Sequence, residues 1–287
     1  VYASHIRNEA GGLVAAVEEA VIVGEMSGCT VQISHHKASG GDNWGSIERS
    51  LAVIEAARER GKDVTADQYP YTSGSTRLAA VLQNGALTHG SGGLGRVGAE
   101  DVVLATCSER TELEGRSLAS FVEEWDLPAE DAAQKILDET GDNVYVVIFM
   151  MDEGDVRRVM AHPTTMIGTD GIPAGSKPHP RAWGTYPRIL GKYVREEGVI
   201  TLQDAVHKMT GMPADKFQLA GRGHIKEGVF ADLVVFDPAT VIDRATYEEP
   251  KTPGAGIHHS IVNGTPIVRD GVHSHARVGR ALRRGRE

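Results

Sequence analysis

The chain has 287 residues, 40% of them apolar and 24% charged, with a net charge of -9 and a pI near 5.8. This is the composition of a folded globular protein large enough for one sizeable core, and it excludes the disordered and fibrous classes. The acidic balance also excludes a general nucleic-acid or anionic-membrane surface, which would repel the molecule.

The elements begin with VYASH, a strand pattern ending on His5. Leu13, Val17 and Val21 then recur at helical spacing, with Gly28 as a stop. VQISHH is the second strand. Ile47, Leu51 and Ile54 mark the second helix, closed by Gly61, and VTADQYPY is a third strand. Strand, helix, strand, helix, strand is the pattern of βαβ units around a parallel sheet.

Residues 72–163 break that rhythm. They hold a glycine-rich HGSGGLGRVG, an amphipathic LASFVEEW and an apolar VYVVIF. A connection of this length is expected to be a lid or an inserted subdomain. The glycine-rich piece fits neither a Walker A nor a dinucleotide fingerprint and reads as a flexible loop. TTMIGTDGIP restores the strand pattern and ends on Asp170, and helices follow in YPRILGKYVREEG and TLQDAVHKMTG. After Gly221, β-branched runs separated by Gly, Asp-Pro and Asn-Gly read as antiparallel strands. The closing ALRRGRE is basic and reads as a solvated tail. The expected layout is an α/β body over residues 1–220 and a small β appendage over 221–287.

Three parallel strands thus finish on ionisable groups, His5, His35 and Asp170. Alternation along a strand puts His5 and His35 on inward faces and turns His36 the opposite way. In a (β/α)8 barrel, inward residues at carboxyl strand ends converge on one site. Imidazoles and a carboxylate suit zinc. Taken singly, each residue fits a hydrogen-bonded strand end or a turn equally well, so the residues alone leave a metal site and a structural role both open.

The words YASHIRNE, ISHHKASG, DQYPYTSGST, MIGTDGIP, KPHPRAWGTYPRILGKYVREEG, KMTGMPADKFQLAGRG and FADLVVFDPATV stand in this order and closely resemble the D-aminoacylase family, the N-acyl-D-amino-acid deacylases of the amidohydrolase superfamily. The resemblance runs along nearly the whole chain and is weakest between about 86 and 142. It implies a zinc-dependent hydrolase on a (β/α)8 TIM-type barrel with a small β-sandwich. His5 and His35 become the metal ligands of the fifth and sixth strands, and Asp170 becomes the general acid/base of the eighth. Lys37, Tyr69, Ser75 and Arg181 match family positions around the substrate, an N-acyl-D-amino acid. Tyr69 also fits a packed strand end, and His179 is assigned no role.

One departure is large. The family's first-strand His-x-His pair and its upstream cysteine have no counterpart; the only such spacing, His273 to His275, lies near the basic tail. Cys29 and Cys107 do not occupy the family position and read as ordinary thiols in a reducing cytoplasm. The expectation is a chain that starts at the fifth barrel strand, lacks at least about 120 residues of preceding βα units, and works with the N-terminal half of the same enzyme. Two other readings stay open: a cyclic-amide amidohydrolase of the hydantoinase or dihydroorotase type, and an inert half-barrel. No apolar run approaches the roughly twenty residues of a membrane span, and no secretory signal is visible.

Overall fold

The structure, a computed structural model, describes residues 1–285; Arg286 and Glu287 of the expected basic tail lie outside the described residues. The chain groups into two compact units, Val1–Thr165 with Thr169–Ala182 and Thr246–Lys251, and Met166–Gly168 with Trp183–Ala245 and the residues from Thr252 onward.

The first unit opens with β1 (Tyr2–Ser4), α1 (Leu13–Ser27), β2 (Val31–Ile33), α2 (Ile47–Glu59) and β3 (Val64–Gln68). The three strands pair in parallel, Ser4 opposite Ile33 and Ile33 opposite Ala66. Beyond β3, the Ala66 N–H donates to the Thr164 carbonyl. The helices form where the apolar spacing requires them. Leu13, Val17 and Val21 of α1 and Ile47, Leu51 and Ile54 of α2 are buried against Val31, Ile33, Val64 and Ala66. Each such side chain contributes about 1.5–3 kcal/mol, and Ile54→Ala would cost about 2–5 kcal/mol through the cavity it leaves. Gly24 allows α1 to lie close on β2, because a Cβ there would stand 2.3 Å from Val31 Cγ2.

Residues 73–149 carry a second sheet and core. Strands β4 (Ser73–Arg77), β5 (Val102–Cys107) and β6 (Val144–Phe149) form an antiparallel sheet with β6 in the middle. Helices α3 (Leu78–Gln83), α4 (Leu118–Trp125) and α5 (Ala129–Thr140) close over Leu104, Phe121, Ile136 and Val146. After α6 (Glu153–Ala161) comes β7 (Thr165–Ile167).

The glycine-rich segment differs from expectation. It is a held loop: Gly93 N–H donates to Asn84 Oδ1 at 2.8 Å, its carbonyl accepts from Glu9 N–H, and Ser39 Oγ donates to the Leu94 carbonyl. The lack of side chains in HGSGGLG hides this, since the contacts are made by its backbone.

Helix α7 (Arg181–Arg188) starts in the first unit and, from Trp183, belongs to the second, where it runs into a π-helical stretch over Ile189–Glu196, followed by α8 (Leu202–Met209) and α9 (Gly211–Phe217). Strands β8 (Leu233–Phe236), β9 (Ile257–Val262), β10 (Thr265–Arg269) and β11 (Val272–His273) make an antiparallel sheet in the order β11-β10-β9-β8. Asn263 and Gly264 both have positive φ, 48° and 79°, as a two-residue type I′ hairpin turn requires. By contact grouping, α8 and α9 fall with these strands in the second unit. The appendage shows one four-stranded layer among the described residues, and Leu233, Val234 and Val235 of β8 stay exposed.

Candidate metal centre

His5 directly follows β1, and His35 stands two residues beyond β2. The parallel register sets these strand ends side by side, and His5 Nδ1 lies 2.9 Å from His35 Nε2. Strand alternation does not reach His35, because β2 ends at Ile33. A left-handed turn directs the side chain instead, with φ 39° at His35, a region where His is among the tolerated residues. The Asp67 carboxylate on β3 holds that turn by accepting the His35 N–H at 2.8 Å, and is itself bound by Gln32 Nε2 at 2.6 Å. His36 turns away to Ser50 of α2 at 3.0 Å. Burial pushes its imidazole down to about 3, so it is a neutral core residue.

The far side of the His35 ring meets a buried ion pair. Its Nδ1 is 2.8 Å from Glu9 Oε1 and 2.8 Å from Lys37 Nζ, and these two are 2.5 Å apart. Burial alone would raise the Glu9 carboxyl, but the Lys37 charge and hydrogen bonds from His35 and Lys37 bring it down to about 2. Burial would lower the Lys37 ammonium, and Glu9 outweighs that and raises it. Both are therefore charged. His5 is lowered, first by burial and then by His35 and Lys37, against the pull of Glu9 and Asp170. That keeps its imidazole neutral, the form that binds metals.

Asp170 lies three residues past β7 with φ 46°, and its Oδ2 is 2.9 Å from Arg181 Nη1. Arg181 is 1% exposed and stacks 4.3 Å above the Tyr69 ring. Lys37 Nζ lies 5.9 Å from the same ring. The buried Tyr69 hydroxyl has no hydrogen-bond partner among the described residues. His179 is a structural hub: its Nδ1 accepts the Arg181 N–H at 3.0 Å, and its Nε2 lies 2.8 Å from Ser73 Oγ.

All seven residues picked from the sequence, His5, His35, Lys37, Tyr69, Ser75, Asp170 and Arg181, line one cavity of about 430 Å³. Among the described residues, the ligand atoms within 4.8 Å of one another belong to His5, Glu9 and His35, so Asp170 shares the cavity without joining that cluster. Sequence reading missed Glu9 and Asp67. Asp67 had a signal, a carboxylate inside an apolar strand. Glu9 had none beyond an unpaired acid in a loop. The arrangement fits a divalent cation: two imidazole nitrogens held at about 2.0–2.1 Å in tetrahedral geometry lie ~3.3 Å apart, close to the spacing seen between His5 and His35.

A profile of the amidohydrolase family matches residues 5–268. The chain belongs to the amidohydrolase family. D-aminoacylase of Alcaligenes xylosoxydans xylosoxydans is 43% identical over 284 residues, which are 99% of this amidohydrolase chain and 55% of that protein. A crystal structure of D-aminoacylase superimposes with a TM-score of 0.88 at 42% identity, covering 99% of this chain and 56% of the other. N-acyl-D-glutamate deacylase from Bordetella bronchiseptica, crystallised with zinc and a phosphonate mimic of the tetrahedral intermediate, superimposes with a TM-score of 0.84 at 40% identity, covering 93% and 52%. These neighbours make the fold of the TIM-barrel type. The chain spans about half the length of the curated relatives it matches.

Proposed function

We propose that this chain carries the catalytic acid/base and two metal ligands of a zinc-dependent amidohydrolase that cleaves N-acyl-D-amino acids to a D-amino acid and a carboxylic acid. The observation that carries the reading is the meeting of His5 Nδ1 and His35 Nε2, 2.9 Å apart, in a cavity that also holds Asp170. Relatives named as deacylases of this substrate class share 40–43% of its residues over 99% of its length.

When bound by His5 and His35, zinc supplies Lewis-acid polarisation of the amide carbonyl and an acidified water. Asp170 takes the proton from the attacking water at its carboxylate and returns it to the departing amine nitrogen. Arg181 fixes the orientation of that carboxylate through Oδ2. The Tyr69 hydroxyl, buried and without a partner among the described residues, donates to the substrate, and Ser75 adds a second hydroxyl to the same cavity. Arg181 and Lys37, each already beside a carboxylate in the cavity lining, offer donor groups suited to the free α-carboxylate of an N-acyl amino acid.

The same reading takes β1, β2, β3 and β7 as strands 5 to 8 of the barrel, completed by an N-terminal half of the same enzyme. Two features support it: among the described residues β1 ends its sheet with an open edge, which a closed barrel does not have, and β8 exposes three consecutive apolar side chains. Two free cysteines, Cys29 among them exposed, suit a reducing cytoplasm. No helix among the described residues is long and apolar enough to cross a membrane.

The test is hydrolysis by the full-length protein of N-acetyl-D-methionine, its L enantiomer and a cyclic ureide. Turnover of the D amide alone is expected. Turnover of the ureide with none of the D amide would replace this reading with the cyclic-amide one.

A further inference from the structure

We infer that Glu9 is a positioning residue for His35: its carboxylate holds the imidazole as the Nδ1–H tautomer and so leaves the Nε2 lone pair for the cation, with Lys37 fixing the carboxylate. This rests on the metal-centre reading above and names a residue that reading does not use.

The argument is geometric. A neutral imidazole has one N–H and one lone pair, and the hydrogen bond made by one nitrogen decides what the other can do. His35 Nε2 faces His5 Nδ1 at 2.9 Å. Its Nδ1 faces both Glu9 Oε1 and Lys37 Nζ at 2.8 Å. If Lys37 donated to Nδ1, the proton would sit on Nε2 and point at His5, and His35 could offer that point no lone pair. If Nδ1–H donates to Glu9, Nε2 keeps its lone pair, and His5 as its Nε2–H tautomer presents a second one to the same point. A carboxylate is the stronger acceptor, and Lys37 already has Glu9 as its own partner at 2.5 Å. Glu9 is held in place beside His35 and Lys37: it is 3% exposed, and its N–H is tied to the Gly93 carbonyl. Carboxylates behind metal-binding histidines raise affinity by orienting the ring.

The test uses the full-length protein stripped of metal. In the unaltered protein, 15N shifts of His35 are expected to show a protonated Nδ1 and a bare Nε2, and Zn2+ competition against a chelator gives the reference affinity. Glu9→Gln combined with Lys37→Met removes the carboxylate without stranding a buried charge. It is expected to bind Zn2+ about 10–100-fold more weakly, with a melting temperature near that of the unaltered protein. A purely structural Glu9 would shift melting and leave the tautomer and the affinity alone. A protonated Nε2 in the unaltered protein overturns the inference, even if the variant fails to fold, and so does unchanged Zn2+ affinity in a folded variant. Failure of the unaltered protein to bind Zn2+ removes the metal-centre reading as well. Binding that needs His5 and His35 but not Glu9 removes this inference alone.

Discussion

Arg181 Nη1 sits 2.9 Å from Asp170 Oδ2, a buried guanidinium gripping one oxygen of a half-exposed carboxylate. The pair orients Asp170 without enclosing it, as a proton carrier requires. Asp170→Asn keeps the size of the side chain and removes the basic oxygen. In the full-length protein it should leave zinc content unchanged, because Asp170 is outside the His5, Glu9 and His35 cluster, and lower kcat by about 10²–10⁴. Metal analysis beside steady-state kinetics checks both, and near-normal turnover would remove Asp170 from its role.

Tyr69 gives a prediction in which stability and function part. Its hydroxyl is buried without a hydrogen-bond partner among the described residues, while its ring packs under Arg181. An unsatisfied buried polar group is costly, so Tyr69→Phe should leave melting temperature unchanged or raise it. Loss of a hydrogen bond to a charged substrate should cost about 1.5–3 kcal/mol, roughly 10–100-fold in kcat/KM. A variant that melts lower and works normally would make the hydroxyl structural.

Lys208 on α8 sets a pH effect within the second unit. Burial lowers it from 10.5 to about 8, against a weaker pull from Asp204. Between those values the unfolded chain keeps a proton that the folded chain has released, so stability rises with pH over that window. The full shift of 10.5 to about 8 corresponds to at most about 3–4 kcal/mol. Lys208→Met should raise the melting temperature at pH 7 and flatten its rise between about pH 8 and 10.5. Parallel pH profiles for the two proteins would contradict this.

The parallel core was legible because each of its signals is local. Leu13, Val17 and Val21 announce a helix face, Gly28 ends it at φ 71°, and the strand ends carry the imidazoles. The positions around the cavity were legible through resemblance, since Lys37, Tyr69, Ser75 and Arg181 come from segments that no periodicity connects. Charge pairing was not legible. Glu9 finds Lys37 and His35 across 28 and 26 residues of sequence only when β1 and β2 align. The direction of His35 was inferred from strand alternation, yet it comes from a left-handed turn braced by Asp67, which no two-residue period encodes.

The central claim is that His5 and His35 share one ion. Zinc X-ray absorption on the full-length protein, beside metal analysis of His5→Ala and His35→Ala, tests it most directly. Imidazole nitrogens at about 2.0–2.1 Å and a lowered zinc content in both variants are the expected result. Full zinc occupancy in either variant, with unchanged absorption, would contradict the account.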